Sequence, residues 1–505
     1  MMLLKIRHAL LEVTNQGAKQ SAKQSAVIIN NEIIISSGSI LQPFIRAAGE
    51  GEQILRDLQQ CKLVDAQDET SKECQLLRSY NYLVTFDRQH RPLTEQQHSG
   101  QSAHILTRYA AQPLYVFSAE EVSRNLHRIL INADADEQNV LRSSFVVLTI
   151  RALKERESFK RFLQHIASYL RYLQPIHTLD DVLVMCSPFG LENFYKTISI
   201  GKVANVMGAS LFGLSNALPL GCEGAAVFNN RLRLIGIIIC TSFQRVQENV
   251  NLTLAANFGY LLRDFMEQLG TPITMISSTR EPSNFAWERS IAVIESGGQQ
   301  GTGTFIKVHN RRFILTCGHV IGQPNAKLHC RAIDREFEAE VIWHNPDEDR
   351  PYDLALLTAP SDVPVRHCVR LARNRACLGQ TVYNAGFPYY VNFNFKYDFN
   401  PSIFQGRIIK CDQGAIMSDG SVQAGQSGGP MFDQHGNILG VCVSNIKYED
   451  VVYPNINTAI PIYDIRQTLV EFAKTSDINV LSNLLASQDV RRVWSLQLPP
   501  IQSKL

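Results

Sequence analysis

Three short stretches hold residue types that together could attack a carbonyl. In "AGQSGGP", Ser427 sits among glycines that let the backbone turn its N–H groups inward. A serine hydroxyl is a poor nucleophile at neutral pH and needs a base, and the base needs a partner to orient it. His319, in "FILTCGHVIG", follows an apolar strand and could face a cleft as that base. Asp353, in "PYDLALLTA", stands at the mouth of a strongly apolar strand, where a partly buried carboxylate could hold the imidazole in one tautomer. The amides of Gly425 and Ser427 are then natural donors to an oxyanion. Singly, each residue reads more simply: a surface histidine, a strand-capping aspartate, a serine in a turn. In the order His, Asp, Ser within one β-rich segment they reinforce one another, whereas His309, His329, His344 and His367 lack such flanks.

The elements that must position them occur twice. Residues 221–241 lie over 425–445 without a gap at an offset of 204 (425 − 221). In this register Gly221, Gly224, Phe228 and Gly236 meet Gly425, Gly428, Phe432 and Gly440, and Asn251 and Ala255 meet Asn455 and Ala459. "IINNEIIISSGSIL" at 28–41 resembles "VHNRRFILTCGHVI" at 308–321, each a polar tip followed by a β-branched strand and a turn. "SFVVLTI" at 144–150 resembles "DLALLTA" at 353–359. Both copies end in an apolar i, i+3, i+4 pattern, "FGYLLRDFMEQL" and "IYDIRQTLVEFA", which predicts a closing helix. Several matches in a fixed register imply an internal duplication.

The fold class is therefore mainly β, short strands divided by Gly, Pro and Asn turns as in barrels or sandwiches. The domains read as 1–270 and 288–478, joined by the Pro/Ser/Thr-rich linker 271–287 and followed by a tail, 479–505. The first domain carries an insertion at about 45–112, polar, rich in Gln, Asp and Glu and expected to contain a mobile surface loop, and helices are expected near 118–132 and 153–173. In the first copy Glu223 replaces Ser427, Ser39 replaces His319 and Ser144 replaces Asp353, so that copy is expected to be inert. Its expected roles are to pack on the second domain, position substrate, or support assembly into a homo-oligomer.

Composition narrows the class. The chain has 505 residues, 19% of them charged, and a formal net charge of +2, so there is no electrostatic case for nucleic acid or an acidic membrane. No apolar run reaches the roughly 18 residues of a membrane span, and the start lacks a secretory h-region. Eleven cysteines without a CxxC pair fit free thiols in a reducing compartment, with no metal and no cofactor expected. The final Ser503-Lys504-Leu505 is a peroxisomal address, read by the import receptor, which points to the peroxisomal matrix.

"TCGHV", "DLALL" and "GQSGGP" resemble the active-site motifs of trypsin-like serine proteases, and "GQSGGPMFDQHGNILGV" is most similar to their Deg/HtrA branch. Spacings of 34 residues from His319 to Asp353 and 74 from Asp353 to Ser427 suit that compact type. With the terminal Ser-Lys-Leu, the chain resembles the peroxisomal processing proteases of that branch, which have glyoxysomal relatives in plants. The resemblance is specific over about 300–475 and at the tail, and architectural over 1–270. It implies two tandem trypsin-like double β-barrel domains, each closed by a C-terminal helix, the first degenerate. It further implies cleavage of imported matrix proteins after a cysteine, and self-cleavage. By the same resemblance Ser421, Val443, Ser444 and Asn445 line a specificity pocket without charge, and Cys61 or Cys74 in the insertion is the self-cleavage point. Gln426 departs from the Asp or Asn of many relatives, no PDZ-like domain fits after 478, and no activation-cleavage motif stands near 288–300. Two other readings compete: an α/β-hydrolase elbow, whose order of residues is the reverse, and a non-enzymatic scaffold.

Overall fold

A computed structural model describes the chain except for residues 1–4, 16–19, 46–50, 88–105, 131–135, 151–155, 171–174, 246–247, 251, 272–285, 323–326, 347–351, 389–399, 449–450 and 495–505. It forms two compact units, 1–281 and 282–505, and the division falls within 271–287.

The second unit has two halves. The first is a seven-stranded antiparallel sheet in the order Arg335–Ala339, Leu328–Ala332, Ile291–Ser296, Gln299–Val308, Arg311–Thr316, Ala355–Thr358, Val341–His344. The second is a closed barrel of Thr381–Gly386, Ser402–Asp412, Ala415–Ser418, Val451–Pro461, Ile438–Tyr448 and Pro430–Phe432. Closure leaves no ladder edge exposed within that barrel. Its core gathers Val382, Ile408, Ile416, Met431, Cys442 and Ala459. The helix Ile462–Thr475 follows the last strand and buries Ile462, Ile465, Leu469 and Phe472, the apolar stripe of its period. Phe472 meets Phe313 at 5.6 Å, tying the helix to the strand that leads to His319.

The first unit repeats the plan. Leu106–Ser118, Tyr80–Asp87, Ile6–Asn15, Ser21–Ile29, Ile33–Ser37 and Ser144–Thr149 form a ring, because the last pairs back onto the first. A second closed barrel joins Leu211–Leu214, Leu254–Asn257, Leu234–Cys240, Ala226–Asn229, Asp181–Cys186 and Thr197–Met207. The helix Phe258–Gln268 ends it, and helices Glu120–Ile129 and Arg156–Leu170 occupy the two stretches expected to be helical.

Two expectations need correction. The described residues of 45–112 are not all inserted: Tyr80–Asp87 and the start of Leu106–Ser118 are barrel strands, and Gly51–Gln59 and Lys72–Arg78 are helices. Tyr80, Tyr82, Val84 and Phe86 are buried in alternation, a two-residue period masked by the polar average of the stretch. The tail also folds as far as Trp494. The turn Ile478–Leu484 and helix Gln488–Trp494 bury Leu481, Leu484 and Val490. Trp494 Nε1 donates to the Gly414 carbonyl oxygen at 2.8 Å, and its ring meets Tyr352 edge-on.

Candidate active site

The strand Arg311–Thr316 buries Phe313, Ile314 and Leu315 and delivers the chain to Cys317, after which one 3₁₀ turn, Gly318–Val320, presents His319. That turn is built around Asp353. A Cβ on Gly318 would lie 2.8 Å from Asp353 Oδ1, so glycine is what lets the carboxylate approach. Asp353 Oδ1 accepts the His319 backbone N–H at 2.9 Å, and Oδ2 is hydrogen-bonded to His319 Nδ1. The carboxylate side chain is 5% exposed and the imidazole 39% exposed. A buried acceptor on Nδ1 places the proton there and leaves Nε2 as the basic nitrogen on the open side.

Ser427 lies in a turn pinned against the same strand end. Gly425 has φ +95° and Gly428 φ +82°, conformations that L side chains resist. A Cβ on Gly428 would run into the Thr302 carbonyl, the Thr316 hydroxyl and the Cys317 amide, the last at 2.8 Å. Gly428 N–H donates to the Cys442 carbonyl at 2.7 Å, Cys442 N–H to Gly429 at 2.9 Å, and Gly429 N–H to Gln426 at 2.9 Å. Gln426 N–H donates to the Gln423 carbonyl at 3.0 Å, while Gln426 Oε1 accepts Gln423 N–H at 2.7 Å. Among the described residues the amides of Gly425 and Ser427, the two expected oxyanion donors, give no hydrogen bond. The structure thus joins His319 to Asp353, and packs Gly428, next to Ser427, against the Cys317 amide two residues before His319. The Ser427 hydroxyl donates to the Val443 carbonyl at 3.2 Å.

Comparison with known proteins places this arrangement. Residues 301–441 match the trypsin-like peptidase domain. The chain is 28% identical over 358 residues to a peroxisomal leader peptide-processing protease of Homo sapiens, and 27% identical over 359 residues to that of Mus musculus. Each match takes in 63% of this chain, and the chain spans about 60% of the length of these relatives. Among solved structures, the active form of the Rv3671c protease from M. tuberculosis is 21% identical, covering 40% of this chain and 84% of that one with a TM-score of 0.30.

Near the Ser427 turn, Ser421 is buried and its hydroxyl accepts from Gln423 Nε2 at 2.9 Å. Val443 is buried, Ser444 is exposed, and Asn445 is half-buried with Nδ2 donating to the Val422 carbonyl at 2.9 Å. None of these four carries charge. Cys317 Sγ lies within 4.8 Å of ligand atoms of His319 and Asp353. It is fully buried, its thiol donates to the Cys442 carbonyl at 3.4 Å, and burial, then Asp353 and Cys442, push it well above the usual thiol range.

Cys74 is not the exposed loop thiol expected of a cleavage point. It lies in the helix Lys72–Arg78, is 1% exposed, and donates to the Ala66 carbonyl at 2.9 Å. Cys61 is half-buried, just after the helix Gly51–Gln59, with φ +54°. Ser503, Lys504 and Leu505 lie outside the described residues.

In the first unit the serine turn persists without its serine. Gly221 and Gly224 have φ +85° and +80°. Gly224 N–H donates to Ile238 at 2.7 Å, Ile238 N–H to Ala225 at 3.0 Å, and Ala225 N–H to Cys222 at 3.0 Å. Adding 204 to each number returns the bonds of Gly428, Cys442, Gly429 and Gln426. The strands agree as well: Ser36 pairs with Val146 as Thr316 pairs with Ala355, which sets Ser144 in the place of Asp353. Ser39 stands where His319 does, and its hydroxyl donates to Gln24 Oε1 at 3.1 Å. That unit keeps the backbone of the site and none of the three reactive groups.

Proposed function

We propose that the chain is a serine endopeptidase. His319 takes the Ser427 proton through Nε2, Asp353 fixes the imidazole and stabilises its charged form, and Ser427 Oγ attacks the scissile carbonyl. The amides of Gly425 and Ser427 receive the oxyanion, and His319 returns the proton to the leaving amine. The observation that carries this reading is Asp353, whose two oxygens engage both the backbone N–H and Nδ1 of His319. Its supports are the matched domain and the protease names of the relatives.

The same proposal extends to place and substrate. The names of the human and mouse relatives and the terminal Ser503-Lys504-Leu505 support action in the peroxisomal matrix on imported proteins carrying leader peptides. The uncharged surroundings of Ser421 and Asn445 suit a small or polar residue before the cut, cysteine among them, better than lysine or arginine. Purified protein, wild type and Ser427→Ala, is incubated with imported precursors and each fragment is sequenced from its N-terminus. The proposal expects fragments in the wild-type reaction alone, starting after cysteine and including one cut in the protease itself, with Cys61 as the candidate point. Identical fragment patterns from the two proteins would remove it.

A further inference from the structure

We propose that Thr302 is a positioning residue for the oxyanion hole: its hydroxyl anchors the carbonyl of the Gly425–Gln426 peptide and so limits the rotation at Gly425 that would turn the Gly425 N–H away from the reacting carbonyl. The inference rests on the reading of Ser427 as nucleophile. Thr302 is fully buried on the strand Gln299–Val308. Its Oγ1 donates to the Gly425 carbonyl at 2.7 Å and accepts the Phe387 N–H at 3.2 Å. Its backbone N–H donates to the Ser427 carbonyl at 2.8 Å, and its own carbonyl accepts the Thr316 hydroxyl at 2.8 Å. One residue therefore grips the serine turn at two carbonyls and links it to the strand that presents His319. Gly425, at φ +95°, has no Cβ to restrict its own φ and ψ, which set where its N–H points relative to the anchored carbonyl. The Thr302 hydroxyl supplies the restraint that the glycine lacks.

The first unit supplies an internal test of what such a clamp does. Ser25 holds the corresponding place: its Oγ donates to the Gly221 carbonyl at 3.0 Å and accepts the Ser187 N–H at 2.9 Å, and Ser36 Oγ donates to the Ser25 carbonyl at 2.7 Å. With the turn held this way, the Gly221 N–H donates at 2.9 Å to Glu223 Oε2, a carboxylate oxygen of the residue that replaces the serine. Thr241 Oγ1 donates to the other oxygen, Oε1, at 2.6 Å. The clamped turn thus offers its glycine amide to a negatively charged oxygen, as an oxyanion hole must. In the first unit that oxygen is built into the chain. In the second, the Gly425 amide stands ready for an oxygen that comes with the substrate.

The test compares full-length wild type with Thr302→Val, Thr302→Ala and Thr302→Ser, using a fluorogenic peptide that spans a cut site and a fluorophosphonate probe. Removing one oxyanion donor lowers kcat by roughly 10²–10³, and loosening one should cost about 10–100-fold. Val and Ala are expected to lower kcat and probe labelling by about that factor with KM within about 2-fold of wild type. Ser, which keeps the hydroxyl, is expected to stay within about 3-fold of wild type on both. If Val does not fold, as judged by a thermal transition, Ala decides. The proposal is overturned if the folded, hydroxyl-free variants keep wild-type kcat, if they raise KM alone, or if Ser fails as they do. A wild-type protein that neither cleaves nor labels would instead remove the protease reading on which the inference stands.

Discussion

Asp353 and His8 show how burial around a single ionisable group sets what that group can do. Asp353, buried under Gly318 and bonded twice to His319, has a partner that its removal would leave in the wrong tautomer. Asp353→Asn should therefore fold and bind substrate while losing about 10³–10⁴ in kcat, measured with KM and the thermal midpoint alongside. His8 is a different case. Its Nε2 pairs with Ser187 Oγ at 2.7 Å, and burial, with Lys196 nearby, holds its pKa down at about 3 from 6.5. Below pH 6.5 the unfolded chain takes up a proton that the folded chain refuses, so stability falls as pH falls toward 3. The first unit's unfolding free energy should drop by about 1.4 kcal/mol per pH unit more in wild type than in His8→Gln, followed by urea titration between pH 6.5 and 5. Ser427, His319 and Asp353 were legible because each sits in a short motif of unusual composition. Thr302 was not, since a threonine in a strand is ordinary and only the fold shows which carbonyls its hydroxyl meets.

The serine turn is the element on which the account turns, and its rigidity comes from glycine. Gly428 combines a left-handed backbone with van der Waals contact against Thr302, Thr316 and Cys317, so Gly428→Ala carries both strain and collision. Backbone strain alone is worth about 1–3 kcal/mol. The variant should lose at least that much in denaturant stability and label poorly with a fluorophosphonate, even though no reactive side chain has changed. The turn was readable because "GQSGGP" and "GCEGAA" share glycines in one register, and the closing helices because their apolar period is long and clean. The strands Tyr80–Asp87 and Leu106–Ser118 were missed for a physical reason. Strand signal resides in alternation, whereas averaging over 45–112 registers only polarity. The folded part of the tail was missed similarly, since a few residues, buried Val490 and half-buried Trp494 among them, carry its packing.

At the scale of the molecule, two units of one plan differ at the candidate site. Each has two large β-sheets of its own, one of them closed into a six-stranded barrel, and its own buried core. The first has given up all three reactive groups and fills its glycine amide with Glu223. A chain reduced to 282–505 keeps His319, Asp353 and Ser427, so it should still label with a fluorophosphonate while cutting protein precursors less well than the full chain. The duplication could be read from sequence because a gapless offset of 204 survives in the turn, and the hydrogen bonds repeat that same offset. The central claim is that Ser427 is the nucleophile activated by His319. Fluorophosphonate labelling of the full-length protein, read by mass spectrometry of the modified peptide, tests it most directly. The account predicts one adduct on Ser427 in wild type, none in Ser427→Ala, and at least about 10³-fold slower labelling in His319→Ala. An adduct that persists in Ser427→Ala, or labelling that is indifferent to His319, would contradict it.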